Sequence, residues 1–233
     1  VPSCINLCIK IYRMLHSAKA FLFDLNGTMI DDMHYHKQVW FDVLTKELGA
    51  NLTWDEVAHQ MYGKNTELLI RIFGPDRFTA EEMDHISMEK EKKYQALYRP
   101  EMKTLPGLEP FLATAKQKGI KMGIGSAAIL FNIDFAIDGL NIRHYFDSVI
   151  GAEHVKHSKP DPEPFLKGAE ELGVDPADCI VFEDAPKGVE AALNAGMKCV
   201  VLTTMHEAKE FEKYTNVIMY TKDYLSLVPM IEG

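Results

Sequence analysis

Only four cysteines, Cys4, Cys8, Cys179 and Cys199, occur among the 233 residues. They form neither a CxxC pair nor the even framework of a small secreted disulfide fold, which points to a reduced, cytoplasmic protein. No apolar stretch reaches the roughly 18 residues of a membrane-spanning helix, because Asn6, Lys10, Arg13 and later glycines and charges interrupt every candidate. Long basic runs are missing too, and 25 Lys and Arg against 34 Asp and Glu leave a formal charge of −9. Nucleic acid and anionic membranes are therefore poor partners. The opening twenty residues hold a short apolar run near Ala18-Lys19-Ala20, but no positive charge precedes it as a secretory leader requires. Residues 1–16 are set aside as an N-terminal extension.

What is present is an ordinary globular composition, 47% hydrophobic and 25% charged, at a length suited to one core with an insertion. AFLFDL at 20–25 is a short apolar run of buried-strand type that stops at Asn26-Gly27-Thr28. Residues 33–99 read as helical, with HYHKQVWFDVLTKELG closing at Gly49 and capping boxes at Thr53 with Glu56 and Thr79 with Glu82. After Pro106-Gly107 the pattern alternates: a helix to about Lys118, strand KMGIG, a helix near 129–139 and strand SVIG. A helix opening near Pro164, strand CIVFED, helix PKGVEAALNAG, strand KCVVLTT, and a final short strand and helix complete it. This alternation predicts an α/β fold with a doubly wound, mostly parallel, Rossmann-like sheet. The core would comprise residues 17–32 and 100–233, with an α-helical cap inserted at 33–99, overhanging the carboxyl ends of the strands where ligands bind in such sheets.

Four polar groups stand at or near predicted strand ends: Asp24, Ser126, Lys159, and the pair Glu183-Asp184. Taken singly each has an ordinary explanation, as a hairpin turn for Asp24-Leu25-Asn26-Gly27, helix caps for Ser126 and Asp184, or a solvated lysine. A doubly wound sheet gathers these ends at one edge, and the resulting set suits phosphoryl transfer. A carboxylate can attack phosphorus, while a hydroxyl and an ammonium hold the non-bridging oxygens. Oxygen-only ligands favour Mg²⁺ as the cation that lets a dianionic phosphate approach a carboxylate.

FLFDLNGT, GIGSAA, SKPDPEPF and FEDAPKGVEAALNAG resemble, in order, the four motifs of the haloacid dehalogenase superfamily. The last stretch and the helical insertion resemble its β-phosphoglucomutase-like subfamily. The resemblance implies that Asp24 is the nucleophile forming an aspartyl-phosphate and that Ser126 and Lys159 hold the phosphoryl group. Mg²⁺ would be served by Asp24, Glu183, Asp184 and the backbone carbonyl of Asn26. Gly27 and Thr28 in the first motif and Ala127 in the second are further candidates for substrate contact. So are His36 in YHKQVW, Lys64 in the loop GKNT, and Lys90 in the run EKEKKYQ, a run whose charges otherwise suggest a solvated face.

Asn26 departs from the family pattern, which commonly has a second aspartate acting there as general acid and base. An amide cannot do this, and Asp31, Asp32 and His36 are possible substitutes. The expected arginine of the cap loop is Thr66 here. The lysine that mutases often carry after the second-motif serine is replaced by Ala127, Ala128 and Ile129. The first expectation is therefore a Mg²⁺-dependent phosphatase, expected as a monomer, acting on a small phosphorylated metabolite such as a sugar phosphate. A β-phosphoglucomutase-type mutase and a weakly active phosphate-ligand binder are the alternatives. A dinucleotide oxidoreductase, suggested by Gly123-Ile-Gly125-Ser-Ala-Ala128, lacks an acidic residue at the end of the next strand.

Overall fold

The computed structural model describes residues 4–232. Residues 1–3 and 233, and the side chains of Cys4 and Cys8 that entered the thiol argument, lie outside the described part. Cys179 and Cys199 are buried free thiols. The chain divides into two compact units, one of residues 1–31 and 103–233 and one of residues 32–102.

The first unit is built on β1 (Ala20–Phe23), β2 (Lys121–Gly125), β3 (Ser148–Ile150), β4 (Cys179–Glu183), β5 (Lys198–Leu202) and β6 (Val217–Thr221). They form one sheet in the order β3-β2-β1-β4-β5-β6, with every pair parallel. Parallel strands covered by helices on both faces read as continuous apolar runs, and all four residues of β1 are buried. Side-chain alternation sorts them between two cores. Ala20 and Leu22 join Val181, Phe165, Ala169 and Leu172. Phe21 and Phe23 pack with Phe111, Phe182 and Tyr224.

The helices of this unit are α1 (Cys4–Ser17), α6 (Leu108–Gln117), α7 (Leu130–Gly139), α8 (Glu163–Leu172), α9 (Pro186–Asn194) and α10 (Val228–Glu232). Helix α1 lies within the stretch set aside above as an N-terminal extension. It buries Ile11 and Leu15 and packs against α10. Its apolar side chains Ile11 and Leu15 thus belong to the packed unit.

In the second unit α2 (Met33–Asp42) runs on through a π turn at Val43–Glu47, followed by α3 (Trp54–Gln60), α4 (Asn65–Phe73) and α5 (Ala80–Tyr98). Both expected capping boxes form. Thr53 Oγ1 accepts from the Glu56 N–H while Glu56 accepts from the Thr53 N–H, and Thr79 and Glu82 repeat the exchange. Val39, Trp40, Leu44, Val57, Leu69 and Tyr98 make the apolar interior. Among the described residues no helix is long and apolar enough to cross a membrane.

Candidate active site

Strand order reverses between β1 and β4, the switch point outside which ligands bind in an open α/β sheet. Phe23 is in register with Phe182, so Asp24, just past β1, stands level with Glu183, the last residue of β4. The Asp24 N–H still donates to the Phe182 carbonyl at 3.0 Å. Here Asp24, Glu183 and Asp184 each offer a carboxylate oxygen within 4.8 Å of the others. The Asn-Gly sequence does not make a hairpin. Instead residues 25–30 form a compact turn, with the Leu25 carbonyl accepting from the N–H groups of Thr28, Met29 and Ile30.

Lys159 Nζ lies 2.7 Å from Asp24 Oδ1 and 2.7 Å from Glu183 Oε1. The other Glu183 oxygen accepts from the backbone N–H groups of Asp184 at 2.8 Å and Ala185 at 2.9 Å. Ser126 is buried beside Asp24 and hydrogen-bonds to it, and its Oγ also accepts from the Ala128 N–H at 3.2 Å. Thr28 Oγ1 donates to Asp184 Oδ1 at 3.3 Å. Neither Ser126 nor Asp184 caps a helix with its side chain.

Two glycines make room for the carboxylates. Gly27 has φ +76°, and a Cβ there would lie 2.2 Å from Asp184 Oδ2. A Cβ on Gly188, in the first turn of α9, would lie 1.7 Å from Glu183 Oε1. These are close approaches that only glycine permits.

Burial is the largest influence on the Asp24 carboxyl and raises it to about 6, against the pull of Lys159. Asp184 is pushed well above the ordinary carboxylate range by burial, with Glu183 and Asp24 adding repulsion. Burial opposes the charge on Lys159, but Asp24 and Glu183 outweigh it, and its pKa is raised. Three carboxylates thus share one ammonium, and the surplus is negative. An oxygen-only donor set with uncompensated negative charge fits a hard divalent cation.

The other candidates stand elsewhere. Asn26 is half-buried and bridges to Ile30 in the turn, Ala127 is half-buried in the loop after β2, and Asp31 is exposed. Lys64 is the residue before α4, with its N–H on Glu67 Oε2 at 3.0 Å. Lys90 is 1% exposed, which corrects the solvated reading of EKEKK at this position. Its Nζ is 2.6 Å from His36 Nδ1 and 3.0 Å from Glu91 Oε2. His36 stacks on Tyr94, whose hydroxyl donates to the buried Asp32 carboxylate, and His36 Nε2 lies 3.3 Å from the same oxygen. Burial lowers the Lys90 pKa, with Glu91 partly offsetting it.

Residues 21–202 match the family model of the haloacid dehalogenase-like hydrolases. The chain belongs to that family. A fructose-1-phosphate phosphatase of Escherichia coli is 30% identical over 180 residues, covering 77% of this chain and 93% of that protein. A β-phosphoglucomutase of Bacillus subtilis is 31% identical over 188 residues, covering 78% and 82%. A crystal structure of a family IA haloacid dehalogenase hydrolase from Entamoeba histolytica superposes with a TM-score of 0.81 at 25% identity, covering 92% of this chain and all of that one. As a haloacid dehalogenase-like hydrolase the protein is an enzyme, and its relatives include both a phosphatase and a phosphomutase.

Proposed function

We propose that the protein is a Mg²⁺-dependent phosphatase that hydrolyses a small phosphorylated metabolite, such as a sugar phosphate, through an aspartyl-phosphate on Asp24. The observation that carries this reading is the buried set in which Lys159 joins Asp24 to Glu183 beside Asp184. A buried carboxylate already bonded to an ammonium and a hydroxyl has beside it groups that take up charge on phosphorus, which supports its role as the nucleophile.

In the first step an Asp24 oxygen forms a bond to phosphorus while the ester P–O bond breaks, and the leaving oxygen takes a proton. Lys159 and Ser126 hold the non-bridging oxygens. In the second step water attacks phosphorus, the Asp24–phosphate bond breaks, and free phosphate departs with the carboxylate restored. Asp24 and Asp184, with the Asn26 carbonyl and Glu183 in support, would hold Mg²⁺, which when bound would offset the negative charge that otherwise repels a phosphate dianion. Asn26 cannot transfer the proton. The leaving oxygen must take it from another group or from water, which favours substrates of modest demand or a slow turnover. Of the candidates in residues 32–102, Lys64 is assigned to substrate selection, whereas Lys90 is buried against His36 and Glu91.

A β-phosphoglucomutase-type isomerisation is the second reading, favoured by the 31% identity to the Bacillus enzyme. It shares the aspartyl-phosphate and differs in passing the phosphoryl group to a sugar hydroxyl instead of water. A screen of phosphate esters with Mg²⁺, following both free phosphate and isomerised phosphosugar, separates the two. Release of phosphate that stops on chelation supports the phosphatase; isomer without free phosphate supports the mutase. Full activity in excess chelator, or no reaction with any ester, overturns the proposal.

A further inference from the structure

The turn after Asp24 is held from outside by two hydroxyls that take no part in the phosphoryl-transfer steps. Thr204, just beyond β5, donates from Oγ1 to the Gly27 carbonyl at 2.6 Å. Tyr224, beyond β6, donates from its hydroxyl to the Thr28 carbonyl at 3.1 Å. The next carbonyl, Met29, accepts from the Leu105 N–H at 2.8 Å, and that of Ile30 accepts from the Gly27 N–H at 2.7 Å. Successive peptide planes from 27 to 30 are therefore each tied down, and two of the four ties are single side-chain hydroxyls.

Tyr224 is fully buried, its ring packed on Phe23, Phe111 and Phe182 with centroids 5.3 to 6.4 Å away. Its N–H donates to the Pro106 carbonyl at 2.9 Å. Ring and backbone are both fixed, so the hydroxyl is delivered to one place. The planes it and Thr204 hold are those that meet Asp184: Gly27 lies against the Asp184 carboxylate with no room for a Cβ, and Thr28 donates to it. A rotation of the 27–28 peptide would disturb the contacts that Gly27 and Thr28 make with the Asp184 carboxylate, and displacements of about 1 Å cost an active site heavily.

We propose that Thr204 and Tyr224 are positioning residues that set the geometry of the Asp24-to-Thr28 turn against Asp184, and so the affinity of the site for its cation and the rate of phosphoryl transfer. The proposal rests on the phosphoryl-transfer reading for its effect on rate, while its effect on the cation is independent of any substrate.

The test compares Thr204→Val and Tyr224→Phe, each keeping the shape and removing the hydroxyl, with Thr204→Ser, which keeps the hydroxyl. Thr203→Val serves as control, because Thr203 Oγ1 donates to the Thr221 carbonyl, at 3.2 Å, and not to the turn. Mg²⁺ affinity is measured by calorimetric titration, and kcat and KM on a phosphate ester. Thr204→Val and Tyr224→Phe should each weaken Mg²⁺ binding by about three- to tenfold, the scale of one hydrogen bond, and lower kcat with little change in KM. Thr204→Ser should restore both, and Thr203→Val should change neither. Unaltered Mg²⁺ affinity in Thr204→Val and Tyr224→Phe overturns the proposal, as does a lowered melting temperature with binding intact. If wild-type protein hydrolyses no ester, the phosphoryl-transfer reading fails and the Mg²⁺ titration alone decides.

Discussion

Lys159 and Asp24, 135 residues apart, meet in a buried ion pair of 2.7 Å. The same ammonium serves Glu183, so removing it leaves two buried carboxylates uncompensated. Breaking a buried pair from one side costs roughly 3–5 kcal/mol. Lys159→Met should therefore lower the melting temperature of the metal-free protein sharply, with part of the loss recovered on adding Mg²⁺. Turnover should fall by about 10²–10³, the usual scale for one charge-stabilising donor. Melting curves with and without Mg²⁺, beside steady-state rates, check both. A variant as stable and active as wild type would remove Lys159 from the site.

The raised Asp24 carboxyl gives a pH dependence of definite sign. Its folded value of about 6 exceeds the ordinary 3.8, so between those limits the metal-free fold holds a proton that the unfolded chain has released. Stability of the metal-free protein is then lost as pH rises through that window. Asp184, also raised, acts in the same direction. A cation favours the ionised carboxylates, so Mg²⁺ should raise the melting temperature little near pH 5 and clearly near pH 7.5. An equal Mg²⁺ effect at both would contradict the assignment.

Much of the core was legible because parallel strands announce themselves as apolar runs that stop at turn residues, and AFLF, KMGIG and CIVFE all do. Once the sheet is doubly wound, the polar residues ending those runs must converge, which is why Asp24, Ser126 and Glu183-Asp184 could be selected together. Lys159 sits in a loop with no periodic signal and was reached through the motif SKPDPEPF. Lys90 and Glu91 show what a charge run conceals: in EKEKK the pattern does not say which residues of α5 turn inward. Thr204 and Tyr224 carried no local signal, since their partners lie 177 and 196 residues away and a hydroxyl that bonds a distant carbonyl leaves no pattern. The short apolar run of α1 does not by itself say what covers it.

Under the proposed function Lys64, just before α4, serves substrate selection and not the chemistry. Lys64→Ala should change KM and relative preference among phosphate esters while leaving the Mg²⁺ requirement as it is. Profiling a panel of esters with both proteins checks this; an identical profile would withdraw the role.

At Asn26 an aspartate would have the same size and could carry a proton, while the backbone carbonyl would be unchanged. Asn26→Asp should keep Mg²⁺ affinity roughly constant and speed hydrolysis, by ~10²-fold for a sugar phosphate, the lower end of general acid–base catalysis. Aryl phosphates, whose leaving groups need less protonation, should gain less. Equal rates for the two proteins on both substrates across pH would show that proton transfer at this position does not limit turnover, and would turn attention to Asp31, Asp32 and His36.

The most direct measurement is turnover by Asp24→Asn with Mg²⁺ on the best ester from the screen, with the fold checked by circular dichroism and melting temperature. The substitution keeps side-chain volume and removes the carboxylate proposed as nucleophile, so phosphate release should fall to background while the protein stays folded. An Asp24→Asn protein that still turns over in a Mg²⁺-dependent way would contradict the aspartyl-phosphate mechanism.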